Sequence, residues 1–200
     1  MSGALPTSPA PERVRIKSYT PTFVSTAHSL KRDARSRGAQ RWHLIAEYPE
    51  HMTCAELAPI FAFLVKQRGQ YETFTFTPPV FEDARGIATG TPLVDGASQT
   101  GRSIATKGWT ASQTGILAAG DFVKFAGDDK VYMQVDDVNS DGSGDATLTI
   151  EPALITSPAD EAAITVDDVS FTVSLLTDIA ELDFIGPLGG PIVVEMVEAV

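Results

Sequence analysis

His51 and Cys54 stand three residues apart at the start of an apolar stripe, and that spacing is the first candidate for chemistry. A thiol becomes a nucleophile when a neighbouring imidazole takes its proton. No third group to orient the base and no oxyanion element accompanies the pair in the sequence. Cys54 lies beside apolar residues and reads as a small core residue. It is the only cysteine, which excludes an intrachain disulfide and any multi-cysteine metal site. The three histidines, His28, His43 and His51, lack zinc-ligand spacing. A second candidate is Asp137-Val-Asn-Ser-Asp-Gly-Ser-Gly-Asp145, with oxygen ligands at positions 1, 3, 5 and 9 of a calcium loop and Gly142 at position 6. Position 12 is Leu148, where a bidentate Glu is needed, and no helical pattern flanks the segment, so a polar hairpin turn accounts for the same residues. The adjacent pairs Asp136-Asp137 and Asp167-Asp168 would face opposite ways on strands, a poor start for a general acid and base, and read as strand ends. Phosphate-binding glycine loops, HExxH, CxxC and GxSxG do not occur. The sequence therefore assigns no catalytic, cofactor-binding or metal residue, and the expectation is a protein that is not an enzyme.

The net charge of −11 is unevenly spread over the 200 residues. Glu12 to Arg41 holds eight of the fifteen basic residues and two acidic ones, Glu12 and Asp33. From Val131 to Val200 there is no Lys or Arg but fourteen Asp or Glu. Such a surface repels nucleic acid, since phosphate attraction depends on Lys and Arg, and no sequence-specific nucleic-acid binding is expected. The basic stretch suits a phosphate or an acidic neighbour, or else a solvated arm or one face of an oligomeric contact. The longest apolar run, Ile60 to Val65, is far short of the roughly 20 residues that cross a bilayer, so no membrane contact is expected. The first eleven residues have no apolar h-region, which predicts no signal peptide and synthesis in the cytoplasm.

The elements that would position these residues follow from periodicity. Residues 1–11 carry three prolines and read as a flexible arm or extended strap. Arg13–Tyr19 and Thr22–His28 read as strands, Ser29–Gly38 as a loop, and Gln40–Tyr48 as a strand with Trp42, Leu44, Ala46 and Tyr48 on one face. Thr53 and Glu56 form a capping box; Leu57, Ile60, Phe61, Leu64 and Val65 then repeat as one helical stripe, closed by Gly69. Pro59 predicts a kink or a start later than Thr53. Tyr71–Thr77 is a strand halted by Pro78 and Pro79. Residues 84–103, rich in Gly, Thr, Ser and Ala, carry no helical stripe. Short strands are predicted at Ile104–Trp109, Asp121–Phe125, Lys130–Val138 and Ala146–Ile150, with tight turns at Gly127–Asp129 and Asn139–Gly144. Asp168–Leu176, Ala180–Ile185 and Ile192–Val197 are longer strands, the last two joined across Gly186–Pro191, and they are expected to return to the N-terminal sheet.

In order, Gln40-Arg-Trp-His-Leu-Ile-Ala-Glu-Tyr48, the helix ending Ala62-Phe-Leu-Val-Lys-Gln-Arg-Gly69, and Gln70-Tyr-Glu-Thr-Phe-Thr-Phe76 resemble the ring domain of siphophage distal tail and related minor tail proteins. Gly108-Trp-Thr, Leu117-Ala-Ala-Gly-Asp-Phe-Val-Lys-Phe125, Val131-Tyr-Met-Gln-Val135 and Ile150-Glu-Pro-Ala-Leu154 are similar to a run found in small β-barrel insertions of phage tail proteins. The resemblance implies a mainly β fold. Residues 1–84 and 155–200 would form a discontinuous β-sandwich ring domain with one helix at about 54–68, and 85–154 an inserted small antiparallel β-barrel of OB or SH3 type. It further implies a six-fold ring at the virion tail tip, between tail tube protein and the hub or tip proteins, through which tape measure protein and DNA pass. No cofactor is implied. Two rival readings follow: a carbohydrate-binding tail module, with Trp109 and Tyr132 stacking on sugar rings, and a tail-tube or terminator ring protein. Against the first, Trp109 also suits the role of a barrel plug.

Overall fold

In the computed structural model, which describes residues 1–185 and 188–200 and Ile185 by its backbone alone, most of the alternating segments become strands. The N-terminal elements are β1 (Arg13–Tyr19), β2 (Thr22–Thr26), β3 (Arg32–Ser36), β4 (Arg41–Glu47), β5 (Met52–Thr53), the helix α1 (Cys54–Lys66) and β6 (Phe74–Phe76). Then come β7 (Gly90–Val94), β8 (Ser103–Trp109), β9 (Phe122–Phe125), β10 (Val131–Gln134), β11 (Ala146–Glu151) and β12 (Ile164–Thr165). The last are β13 (Phe171–Leu175), β14 (Phe184–Ile185), β15 (Leu188–Gly189) and β16 (Val193–Glu198). The protein is mainly β with a single α-helix among the described residues. Gly186 and Pro187, in the predicted turn, lie outside the described residues.

The chain forms two compact units, residues 1–74 with 173–199, and residues 75–172 with Val200. In the first, a five-stranded sheet has the order β1-β4-β16-β13-β6. The pairs β1–β4, β4–β16 and β16–β13 are antiparallel. The C-terminal strand thus does return to the N-terminal sheet, and β6 neighbours β13 although the two are far apart in sequence. Trp42, Leu44, Ala46 and Tyr48 are buried as their alternation predicts, and Ile45 on the opposite face is buried too. Ser29–Gly38, expected as a loop, contains β3, which pairs antiparallel with β2. All ten residues of that hairpin are exposed, so no alternation of buried and solvent-facing side chains marks β3 in the sequence. The predicted strands at 71–77 and 180–185 shrink to β6 and β14; Tyr71 is exposed.

Helix α1 starts at Cys54, directly after Thr53, and runs unbroken through Pro59, so Pro59 does not delay its start. The Glu56 carboxylate accepts both the N–H (2.8 Å) and the hydroxyl (2.7 Å) of Thr53, which holds Glu56 below its ordinary pKa, the hydroxyl contact contributing most. Its buried residues are Leu57, Ile60 and Leu64, with Gln67 just beyond. Phe61 is half-buried and Val65 is 55% exposed, so the stripe faces about one residue away from the predicted line. The reason is what the helix packs on. Phe63 meets Phe74 edge-on at 5.3 Å, and the Gln67 carboxamide donates to the Phe63 carbonyl (2.8 Å) and accepts from the Ser2 hydroxyl. Residues 1–11 are accordingly a strap: Ser2 N–H donates to Thr73 O at 2.8 Å, and Leu5 is buried. After the helix Gly69 has φ +67°, and a Cβ there would lie 2.6 Å from Asp178 Oδ1.

The second unit is an antiparallel sheet of six strands in the order β12-β9-β10-β11-β8-β7. Its edges meet: Leu93 and Ala163 form a bridge, with Val94 N–H to Ala162 O at 3.0 Å and Glu161 N–H to Val94 O at 3.1 Å, so the sheet is a nearly closed barrel. Ile104, Trp109, Leu117, Val123, Leu148 and Ile150 belong to its core. This unit is wider than the predicted 85–154. Residues 162–166 supply β12 and the buried Ala162, Ile164 and Val166, and Phe81 stacks edge-on against Phe122 at 5.0 Å. Strand β7, within 84–103, is half exposed and bulged, with little apolar alternation to announce it.

Candidate functional site

The calcium-like loop connects β10 to β11, and each of its first three candidate oxygens is engaged by a different stretch of backbone. Asp137 Oδ1 accepts from Ala119 N–H (2.9 Å), and Asn139 Oδ1 from Gly115 N–H (2.7 Å). Asp141 Oδ1 accepts from Ser143 (2.8 Å) and Asp145 (2.9 Å) within its own turn. Those backbone donors, Asp145 first, hold the Asp141 carboxyl below its ordinary range. The positive φ of the loop falls at Gly144 (+84°), where a Cβ would stand 2.3 Å from Trp109 O, and not at Gly142. The three side chains thus pin turns around the barrel end. No group of three His, Cys, Asp or Glu that could hold a metal ion occurs among the described residues.

Asp121, which lies in the run Leu117–Phe125, is the carboxylate with the most consequential placement, and no catalytic or metal-binding motif marks it. It is buried and accepts from Arg85 N–H (2.9 Å), Gly86 N–H (3.2 Å) and Ala118 N–H (2.8 Å), fastening the entry segment of the barrel to the β9 turn. Asp167 Oδ1 accepts from Ala84 N–H (2.9 Å), and Asp168 has φ +51°; the pair sits between β12 and β13, at strand ends as expected.

Cys54, expected in the core, is exposed as the first residue of α1, because the buried line of the helix begins at Leu57. His51 lies in the turn before β5 with φ +65°, and its imidazole faces Glu50 at 4.0 Å. No hydrogen bond joins His51 to Cys54 among the described residues, and the structure assembles no nucleophile there. Trp109 and Tyr132, the candidate sugar-stacking residues, are both inside the barrel. Trp109 is 4% exposed and donates its indole N–H to Thr106 Oγ1 (2.9 Å). Tyr132 is fully buried, with its hydroxyl donating to Asp128 Oδ2 (2.8 Å). Stacking on a sugar needs an open ring face, so these two residues cannot supply it; they fill the barrel.

The basic stretch divides into two parts. On β1, Arg13 and Arg15 both pair with Glu47 of β4. The other part is the β2–β3 hairpin, where Lys31, Arg32, Arg35 and Arg37 stand exposed and Arg35–Asp33 (3.8 Å) is the ion pair among the described residues. Phe23 (70% exposed) and Leu30 (84%) stand on the same hairpin. The hairpin therefore presents exposed cations and exposed apolar side chains side by side.

The fold and these placements define a β protein built around structural contacts: its polar side chains fasten turns, and its most open features are surfaces. Residues 82–169, which fall within the second unit, match the family model described as distal tail protein pb9, B domain. The match supports a phage distal tail protein family for this chain, and with it a structural role in a bacteriophage tail. It implies a place in the virion tail and contact with other tail components. No curated protein matches the chain.

Proposed function

We propose that this protein is a siphophage distal tail protein that assembles as a hexameric ring between the tail tube and the tail-tip or baseplate hub. The observation that carries this is the match of the barrel unit, residues 82–169, to the B domain of a distal tail protein. The first unit makes the ring, and the barrel is the appended module. The ring joins tail tube protein to hub proteins and lets tape measure protein and DNA pass. The −11 charge suits a lumen along which DNA slides without adhering, since like charges repel. The protein acts by contact and not by catalysis, and its site is the tail tip of the virion, reached after synthesis in the host cytoplasm.

Solution mass by light scattering tests the ring. A particle of six times the 21.3 kDa chain is the expected result. A single-chain mass at every concentration, with no assembly on addition of tail tube protein, would refute it.

A further inference from the structure

We infer that the β2–β3 hairpin of one copy seats in an acidic groove on the first unit of a second copy, a head-to-tail contact between neighbouring protomers. The inference rests on the ring reading above and names the surfaces that build it.

The hairpin needs a partner on physical grounds. A lone two-stranded ribbon is marginal in water, and this one exposes all ten of its strand residues, Phe23 and Val24 among them. Its outer backbone edges are open to pairing. The complementary surface lies on the same unit. A groove of about 520 Å³ opens between the segment 177–183 and the start of β16. Its lining includes the exposed apolar Ile179 (77%) and Val193 (51%) and the carboxylates Glu181, Asp183 and Glu195. No Lys or Arg occurs anywhere from Val131 to Val200 to neutralise them from within this part of the chain. The hairpin offers cations beside exposed apolar groups; the groove offers carboxylates beside exposed apolar groups.

Strand register places the two at opposite ends of the sheet. The hairpin is rooted where Tyr19 pairs with Arg41, at the start of β4. The groove adjoins Val193, which pairs with Glu47 at the end of β4. Six residues of strand separate these ends, about 20 Å at about 3.3 Å per residue. A contact between two different surfaces is heterologous, and such contacts close into rings when the rotation between subunits permits. Duplex nucleic acid is the weaker match for the hairpin, since Phe23 and Leu30 would remain in water against a phosphate backbone.

Charge reversal at exposed positions tests this without disturbing the core. Light scattering should show R32E/R35E and, separately, E181K/E195K falling from the ring to single-chain mass, with unchanged circular dichroism. Combining all four substitutions in one chain should restore the ring, because the pairing is preserved with its sign inverted. In the wild type, carbodiimide coupling of a mixed ¹⁴N/¹⁵N sample should join Lys31 of one copy to Glu181 or Asp183 of another. If the wild type is a ring and every variant keeps its mass, the hairpin contact is wrong and the ring stands. If the wild type never assembles, both fall. Unchanged mass with lost binding of duplex DNA by R32E/R35E would assign the hairpin to nucleic acid and overturn the inference.

Discussion

Leu148→Ala removes three carbons from the fully buried centre of the barrel, where Leu148 lies opposite Ile104 in the β11–β8 ladder. Truncating a buried leucine costs about 2–5 kcal/mol, the transfer of the lost methyls plus the cavity they leave. With a urea slope of about 1.5 kcal/mol/M, a loss of about 3 kcal/mol moves the barrel midpoint down by about 2 M. The two tryptophans fall in different units, Trp42 in the first and Trp109 in the second. In a Trp42→Phe background fluorescence therefore follows the barrel alone, while the helical signal near 222 nm follows α1 in the first unit. The expected result is a large shift of the fluorescence transition and a helical transition within about 0.3 M of its parent, since distant sites in separate units do not couple. Both transitions moving together by a similar amount would show one cooperative core and refute the two-unit reading.

Three further outcomes are expected. Leu57→Ala should cost about 2–5 kcal/mol and Val65→Ala within about 0.5 kcal/mol by urea titration, because Leu57 is buried and Val65 is not; equal losses would restore the stripe as first predicted. Burial pushes the Tyr48 phenol up to about 12, and its hydroxyl has no hydrogen-bond partner among the described residues. A raised folded-state pKa contributes stability below pH 10 that is lost as pH rises from 10 towards about 12, so Tyr48→Phe should flatten alkaline unfolding and add about 1 kcal/mol at neutral pH; an unchanged titration at 295 nm would contradict this. Millimolar calcium should leave the melting temperature unchanged, since the loop carboxylates already cap backbone amides. Asp141→Ala should lower the melting temperature above pH 4, an effect that fades as pH falls through the depressed carboxyl pKa, and a calcium-dependent rise abolished by that substitution would reverse the reading.

Local sequence determined what depends on near neighbours. Strand β1 lies at the residues its alternation marked, and α1 begins at the Thr53–Glu56 box. The tight turns at Gly127–Asp129 and Asn139–Gly144 connect strands that pair antiparallel, because turn residues and period-2 patterns act over a few residues. The burial of Trp42, Leu44, Ala46 and Tyr48 was legible for the same reason. Tertiary structure alone decided whatever depends on a distant partner. The packing of Leu57, Ile60, Leu64 and Gln67 sets which face of the helix is buried and leaves Val65 and Cys54 in solvent. Closure of the barrel by residues 161–165 widened the second unit, since a two-residue strand has no period to read and gains its place from β9 and β7. Asp121 is one more acidic residue until three amides from two separate segments converge on it. Strand β3, whose five residues are all exposed, had no burial pattern to betray it; backbone pairing with β2, which carries no side-chain signature, decided it.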